Sequence, residues 1–513
     1  MPRLAASLAV LLFIGLAPEV HGQRAACQDG RVTPAGSSLS YACSNVDFLG
    51  HLSLNEMGGG GNVEGNDIWG WTDPDTGKEY ALVGLENGTS FVDVSDPTSP
   101  VYLGRLPTRT FNITWRDIKV YEDHAFIVSE AEGHGMQVFD LTQLRGVTAP
   151  VTFSAAAIYD GFGSSHNVAI NEASGFAYAV GSAGGTQTGC STGLHMVNIQ
   201  TPTAPTFAGC FDGDGYTHDV QCVTYDGPDT DYTGREICFA SNGGFGDDFD
   251  RYAVVDVTDK SNPTLITQML YPTAGYAHQG WLTEDSRYFI ANDELDETAF
   301  GDRTRTLVFD VSDLDDAEFL DAYDHGTRAS DHNMYIRERF VYASNYTSGL
   351  RILDTQEIES GSDDVLSTVA FFDTFPFSEE AGFQGTWSNY PFFESGIVIV
   401  NDISGGLFIL DPQLDDIPPV STEEETVAAA SRLQAAFPNP TSGRTTLTLT
   451  LDQAQEVSVV VYDALGRRVA TLFEGALGAE AARSLVFDGS GRPAGLYVVR
   501  AVGETFSETQ RIV

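Results

Sequence analysis

The sequence predicts an all-β protein: a seven-bladed β-propeller closed by an N-terminal strand, followed by a small C-terminal β-sandwich. Three observations lead there. A β-rich unit of about 50 residues recurs seven times. Within it, β-branched and aromatic residues form short runs between turn residues, with no sustained helical period. A strand near the N-terminus copies one that the last unit lacks.

The clearest part of the unit is a strand ending in an acidic turn: FVDVSDP (91–97), VFDL (138–141), MVNI (196–199), VVDVTD (254–259), LVFDVSD (307–313), RILD (351–354) and FILD (408–411). Another β-rich run precedes each, from YALV (80–83) to IVIV (397–400). Such runs read as antiparallel strands, about four to a unit, the content of a propeller blade. After Asp411 the chain turns polar, so the seventh unit has no fourth strand of its own. FLGHL (48–52) copies YLGRL (102–106), the fourth strand of the first unit, and is expected to complete the last blade and remove open sheet edges. The propeller then spans 44–415, after an N-terminal extension at 23–43.

A linker is expected at 416–432, where Pro418 and Pro419 precede Glu423, Glu424, Glu425 and an alanine-rich stretch. The remaining residues, 433–513, alternate as strands at 445–451 and 457–462 and near the end, giving the sandwich. At the other end, Arg3, the apolar run 4–17 and a small residue before Gln23 predict a signal peptide over 1–22. Its 14 apolar residues are too few to anchor the chain, and no later run approaches a transmembrane length. The protein is expected outside the cell or on its surface. There six cysteines form disulfides, and sequence proximity selects Cys27 with Cys43, Cys190 with Cys210 and Cys222 with Cys238 from fifteen possible connectivities.

Net charge is −45, from 72 acidic and 27 basic residues, and only Lys78, Lys119 and Lys260 among the latter are lysine. This excludes nucleic acid and anionic bilayers as partners and suits a high-salt medium. It also makes any single acidic cluster unremarkable.

FPNPT (437–441), VYDALGR (461–467), GLY (495–497) and RIV (511–513) resemble the C-terminal type A sorting domain of the bacterial type IX secretion system. The resemblance implies passage through the periplasm, then export by the outer-membrane secretion machinery acting on this tail. The larger region resembles the choice-of-anchor B family of extracellular propellers with LVIVD-like repeats, on DIWGW (67–71), EYALVG (79–84), GYTHDVQC (215–222), HQGWLTED (278–285), NDELDE (292–297), DHN (331–333) and WSNYP (387–391). That family brings no catalytic residues with it.

Chemistry is therefore sought where the blades align. Asn66, Arg116, His166, His218, His278, His332 and Trp387 occupy one equivalent position in successive first strands, 50 to 60 residues apart. First strands line a propeller's central channel, so His166, His218, His278 and His332 are candidate ligands for zinc or iron, with Asp117, Asn167, Asp219, Gln279 and Asn333 beside them. The alternative is that these histidines hold turns by hydrogen bonds. A second polar ring contains Glu86, Glu130, Ser182, Asn242, Glu294, Asn345 and Asp402. Arg116, Asp117, Asp219, Glu294, Trp281 and Trp387 are the candidate ligand-binding residues, the tryptophans either stacking on a ligand or filling space between blades. Asp226, Asp229 and Asp231, or Asp247, Asp248 and Asp250, have oxygen spacing suggestive of calcium without completing an EF-hand loop.

Three functions fit: an exported binding or adhesion scaffold for an extracellular ligand, a secreted metal-dependent hydrolase or lyase with its site on the propeller axis, or a structural surface-layer component. No nucleophile elbow, HExxH or phosphate-binding loop supports catalysis, which favours the scaffold.

Overall fold

The computed structural model describes residues 24–512 except 188–189, 191, 245–249, 302, 360–363, 415–416, 418–432, 434–435, 442, 452–453, 464–466, 480–481, 493–494 and 504–506. The expected signal peptide, nearly all of the expected linker, Asp247, Asp248 and residues 464–466 of the VYDALGR motif lie outside the described residues. The chain forms two compact units, divided near residue 420.

The first unit contains seven sheets, each built on consecutive antiparallel strands, to which strands from elsewhere in the chain are added at the outer edge of the first, sixth and seventh. Their first strands are Gly65–Thr72, Arg116–Tyr121, Asn167–Asn171, Asp219–Thr224, Ala277–Leu282, Met334–Arg337 and Thr386–Tyr390. Each first strand touches that of the next sheet, and the last touches the first. Apolar residues from adjoining sheets fill the space between them, as where Phe91 stacks on Phe139 at 4.5 Å. Helix is limited to Asp296–Phe300 and three short 3-10 turns among the described residues.

The repeated acidic turn has a local cause. The side chain that ends the third strand accepts a hydrogen bond from the backbone N–H two residues on: Asp93 from Ser95, Asp140 from Thr142, Asn198 from Gln200, Asp256 from Thr258, Asp310 from Ser312 and Asp354 from Gln356. An Asp or Asn here turns the chain toward the fourth strand, which is why the pattern recurs.

Val46–Leu52 is the outer strand of the seventh sheet, antiparallel to Gly406–Pro412. It carries an extra residue, Leu49, between the partners of Leu410 and Ile409, just as Leu103 is extra in Val101–Pro107. The glycine after each bulge is required by a neighbour: a Cβ on Gly50 would lie 2.3 Å from the Pro97 carbonyl oxygen, and one on Gly104 2.0 Å from that of Val151. The residues ahead of this strand are not a loose extension. Arg31–Val32 and Tyr41–Ser44 extend the sixth sheet, and Ala25 and Phe48 exchange backbone hydrogen bonds at 2.9 and 3.0 Å. The disulfides are Cys27–Cys43, Cys190–Cys210 and Cys222–Cys238.

In the second unit, Arg444–Leu449 pairs with Arg483–Asp488, and a four-stranded sheet runs in the order Arg468–Leu477, Gln455–Asp463, Tyr497–Gly503, Ser507–Ile512. Leu447, Leu449, Val459, Leu485 and Val499 from both sheets form one core.

Candidate functional site

The blade-aligned histidines lie side by side. Ring centroids are 4.3 Å apart for His166 and His218, 4.5 Å for His218 and His278, and 4.4 Å for His278 and His332. Trp387 continues the arc 4.9 Å from His332.

Hydrogen bonds fix how these rings face. Nδ1 of His332 donates to the Trp387 carbonyl oxygen at 2.5 Å, so Nε2 carries the lone pair, and it lies 3.8 Å from Oε1 of Glu294. Nδ1 of His166 meets Oε1 of Glu130 at 2.6 Å, and Nδ1 of His218 meets the Tyr276 hydroxyl at 2.9 Å. These bonds reach residues of a neighbouring sheet, yet they leave ring nitrogens over: Nε2 of His218 and Nδ1 of His278 are buried without a hydrogen-bond partner.

Burial, reinforced by neighbouring imidazoles, holds His218 and His278 well below the ordinary histidine range and brings His332 down to about 3. Neutral imidazoles are the metal-binding form. The sign of the pH dependence follows. His332 stays neutral in the fold but protonates below about pH 6.5 once unfolded, so its contribution to stability is full above 6.5 and is lost as the pH falls toward 3. The stability gap between the wild type and His332→Gln is therefore expected to narrow by about 2 kcal/mol between pH 7 and pH 5. Urea unfolding at both pH values checks this, and an unchanged gap would mean that the ring is not held neutral.

Glu294, at the end of the second strand of the same sheet as His278, completes the cluster. Its Oε2 is 3.9 Å from Nε2 of His278, and one ligand atom each from His278, Glu294 and His332 all lie within 4.8 Å of one another. Burial pushes the Glu294 carboxyl up to about 7, against a 2.7 Å hydrogen bond donated by the Tyr346 hydroxyl. Two imidazoles and a carboxylate suit a borderline divalent ion such as zinc or iron. Of the three, Glu294 lines a cavity of about 700 Å³, with His166, His218, Glu130, Tyr216, Phe383 and Trp387 also in its wall.

The other sequence candidates separate from this group. Arg116 lines neither this cavity nor the one described next. It is fully buried, with Nη1 donating to Thr108 at 2.8 Å and Nη2 3.4 Å from Nε2 of His134, and burial lowers its guanidinium to about 10. Asp117 is also internal. Its Oδ1 accepts from Ile118 N–H at 2.7 Å and from Lys119 at 2.5 Å, and its Oδ2 accepts from Val168 N–H at 2.7 Å. Asp219 and Trp281 line a second cavity of about 330 Å³ with Trp69, Lys119, Gln279 and Phe392. There burial raises Asp219 to about 6, and Lys119 Nζ lies 4.6 Å above the Trp69 ring. Asp229 gathers with Asp313 and Asp315 rather than with Asp226 and Asp231.

The residues beside the histidines link sheets. Asp67 accepts from the backbone N–H of Ile118, Asp117 from Val168 and Gln279 from Met334. Asn167 donates to the His218 carbonyl, Gln279 to Asp219, Asn333 to Ser388 and Asn401 to the Asn66 carbonyl. Together these bonds run from each sheet to the next and back to the first.

Tyr216, Tyr276 and Tyr346 were outside the sequence candidates because they sit in loops, outside the aligned first strands. Tyr216 and Tyr276 lie two residues before His218 and His278, the one regularity that marks them.

Residues 435–513 match the model of the secretion system C-terminal sorting domain, and residues 78–108 match that of the LVIVD repeat. The chain thus carries an LVIVD repeat and a sorting tail that marks it for export to the cell surface or the medium. No curated protein matches the sequence. Among solved structures, the chain is similar to the β-propeller domain of Cps50 (Swd1) from Myceliophteria thermophila, with 13% identity over 68% of this chain and 99% of that one and a TM-score of 0.41. It is also similar to the periplasmic gluconolactonase PpgL of Pseudomonas aeruginosa, with 13% identity over 60% and 88% and a TM-score of 0.40. A Lactobacillus plantarum protein has 13% identity over 83% and 99% and a TM-score of 0.40. No helix among the described residues is long and apolar enough to cross a membrane.

Proposed function

We propose that this chain is an exported ligand-binding protein of the choice-of-anchor B type, with its seven sheets as the blades of one propeller (44–415) closed by Val46–Leu52. The signal peptide (1–22) takes it to the periplasm. Beyond the linker (416–432), the sandwich (433–513) is the address read by the type IX machinery of the outer membrane. The ligand site is the cavity at the histidine ring.

The observation that carries this reading is the meeting of His278 and His332, with neutral imidazoles, on Glu294, which itself lines a cavity of about 700 Å³. These three residues would hold zinc or iron, which supplies a Lewis-acidic contact for a ligand oxygen. The protein's own part is to orient and exclude water: the Trp387 carbonyl fixes the His332 tautomer, and aromatic walls take the ligand's apolar face. Acidic and aromatic groups together favour an uncharged, hydroxyl-bearing ligand, such as a saccharide, over an anion.

The test is metal analysis of the purified protein followed by titration with Zn2+ alone. The wild type is expected to retain close to one transition-metal ion per chain. His332→Ala and Glu294→Gln should each weaken zinc binding at least 100-fold while leaving the chain folded. Equal zinc binding by wild type and variants would overturn the site.

One observation favours a second reading, a secreted metal-dependent hydrolase or lyase. Glu294 sits near 7, where a carboxyl exchanges protons at neutral pH. That reading requires turnover of a bound ligand that His332→Ala abolishes; binding without turnover returns the first.

A further inference from the structure

Farther along the first strands lies the cavity of about 330 Å³ that Asp219 and Trp281 line. It shares no lining residue with the histidine cavity. Three positions beyond the members of the histidine ring stand Trp69, Lys119, Ala169, Gln221, Trp281, Tyr335 and Tyr390, one in each sheet, and all but Tyr335 line this cavity. Six of the seven first strands therefore build it. Three residues of strand place it about 10 Å along the strand from the histidine ring.

Its wall joins an aromatic surface to a charged one. Trp69 and Trp281 pack edge-to-face on Tyr335 with centroids 5.4 and 5.2 Å apart, and Phe392 lies 6.1 and 6.2 Å from the same two indoles. These contacts hold the rings in place, yet Trp69, Trp281, Tyr390 and Phe392 all remain partly exposed. The charged part is dominated by carboxylates. Lys119 Nζ lies 2.5 Å from Oδ1 of Asp117 and 3.5 Å from Oδ2 of Asp67, so its charge is engaged by groups outside the wall. Asp219 and Glu172 belong to the wall itself. The Asp219 oxygens accept from neutral donors, Oδ1 from the Val220 N–H at 2.6 Å and Oδ2 from the Gln279 side-chain amide at 2.8 Å. Glu172 is exposed. No histidine lines this cavity, so these carboxylates lack the imidazole partners that a transition metal would take.

We propose that this cavity binds a small organic cation of the methylated-ammonium class. Such a group spreads its charge over an apolar surface and is attracted both to carboxylates and to the faces of indole rings. The chain makes this contact with an ammonium of its own, because Lys119 Nζ lies 4.6 Å above the Trp69 ring. Trp281 supplies the second indole, and Asp219 balances the ligand's charge. An anion would meet like charge at Asp219 and Glu172. A neutral molecule of the same shape would gain the apolar contact and leave both carboxylates unanswered, so charge is the feature by which the site selects. A volume of about 330 Å³ is small among ligand pockets and suits a ligand of this size. The proposal does not depend on a metal at the histidine ring.

The test is calorimetric titration of the full exported chain, at constant ionic strength, with choline chloride and in parallel with dimethylbutanol in which a carbon replaces the choline nitrogen. Choline is expected to bind, and the uncharged alcohol to bind more weakly by about 10-fold or more. Asp219→Asn should weaken choline binding by about 10-fold and leave the alcohol unchanged, while Trp281→Ala should weaken both. His332→Ala should bind choline like the wild type, which separates this site from the transition-metal site above. No binding of choline, or equal affinity for choline and the alcohol, overturns the proposal, and both results come from the wild type alone. Binding of methyl glucoside in place of choline overturns the ligand class and assigns the cavity to saccharides. Choline binding unaltered in both Asp219→Asn and Trp281→Ala overturns the residue assignment, and choline binding lost in His332→Ala overturns the placement in favour of the histidine cavity.

Discussion

Removal of residues 44–54 is expected to abolish the cooperative melting transition of the first unit or lower its stability by several kcal/mol. The deletion takes away the outer strand of the seventh sheet and its whole hydrogen-bonded ladder with Gly406–Pro412. It also takes Val46, Phe48 and Leu49, which are 0%, 4% and 5% exposed, out of two hydrophobic clusters. The edge left behind presents unpaired backbone groups. A milder probe keeps the strand and deletes one side chain: Phe48→Ala should cost about 3 kcal/mol or more, because it opens a cavity beside Tyr41, Phe372 and Phe408. Thermal and urea unfolding measure both. If the deletion melts like the wild type, Val46–Leu52 does not close the ring.

Truncation before residue 433 is expected to stop delivery to the surface almost completely and leave the first unit's melting transition unchanged. The two units have separate cores, and that of the second is built from its own residues, among them Leu433, Leu447, Val459 and Ile512. Fractionation of cells producing the full and truncated chains, scored by surface protease accessibility, gives the answer. Normal surface delivery of the truncated chain would show that the tail is not the address, and a lost melting transition would show that it is a structural part.

What could be read in the sequence was what repeats. Strand positions followed from runs such as FVDVSDP and LVFDVSD, because the same turn chemistry recurs after the third strand. The pairing of Val46–Leu52 with the last sheet followed from FLGHL copying YLGRL, a likeness forced by a shared bulge and by a glycine that a neighbouring carbonyl crowds. The histidines were found in the same way, by alignment of first strands. Alignment places a Cα, however, and says little about where a side chain goes. Arg116 occupies the histidine position yet turns to Thr108 and His134, and Asp117 serves the backbone of the next sheet. Tyr346, contributed once by a loop beside the cavity, left no periodic trace. NDELDE and DHN stood out only as motifs, because their meaning depends on the fifth and sixth sheets meeting.

The hydrogen bonds that pass from one sheet to the next also bear on how such a chain can change over evolutionary time. In an open solenoid a repeat can be gained or lost at an end, since only one interface is disturbed. Here each axial side chain is matched to a particular neighbour: Asp67 to the amide of Ile118, Asp117 to that of Val168, Gln279 to that of Met334, and Asn401 back to the Asn66 carbonyl. A duplicated or deleted unit would create a junction between units that are not neighbours now, and a buried side chain there would face the wrong group. Copy number is therefore constrained by the chemistry of these junctions, and variation is directed to the loops at the two ends of the sheets.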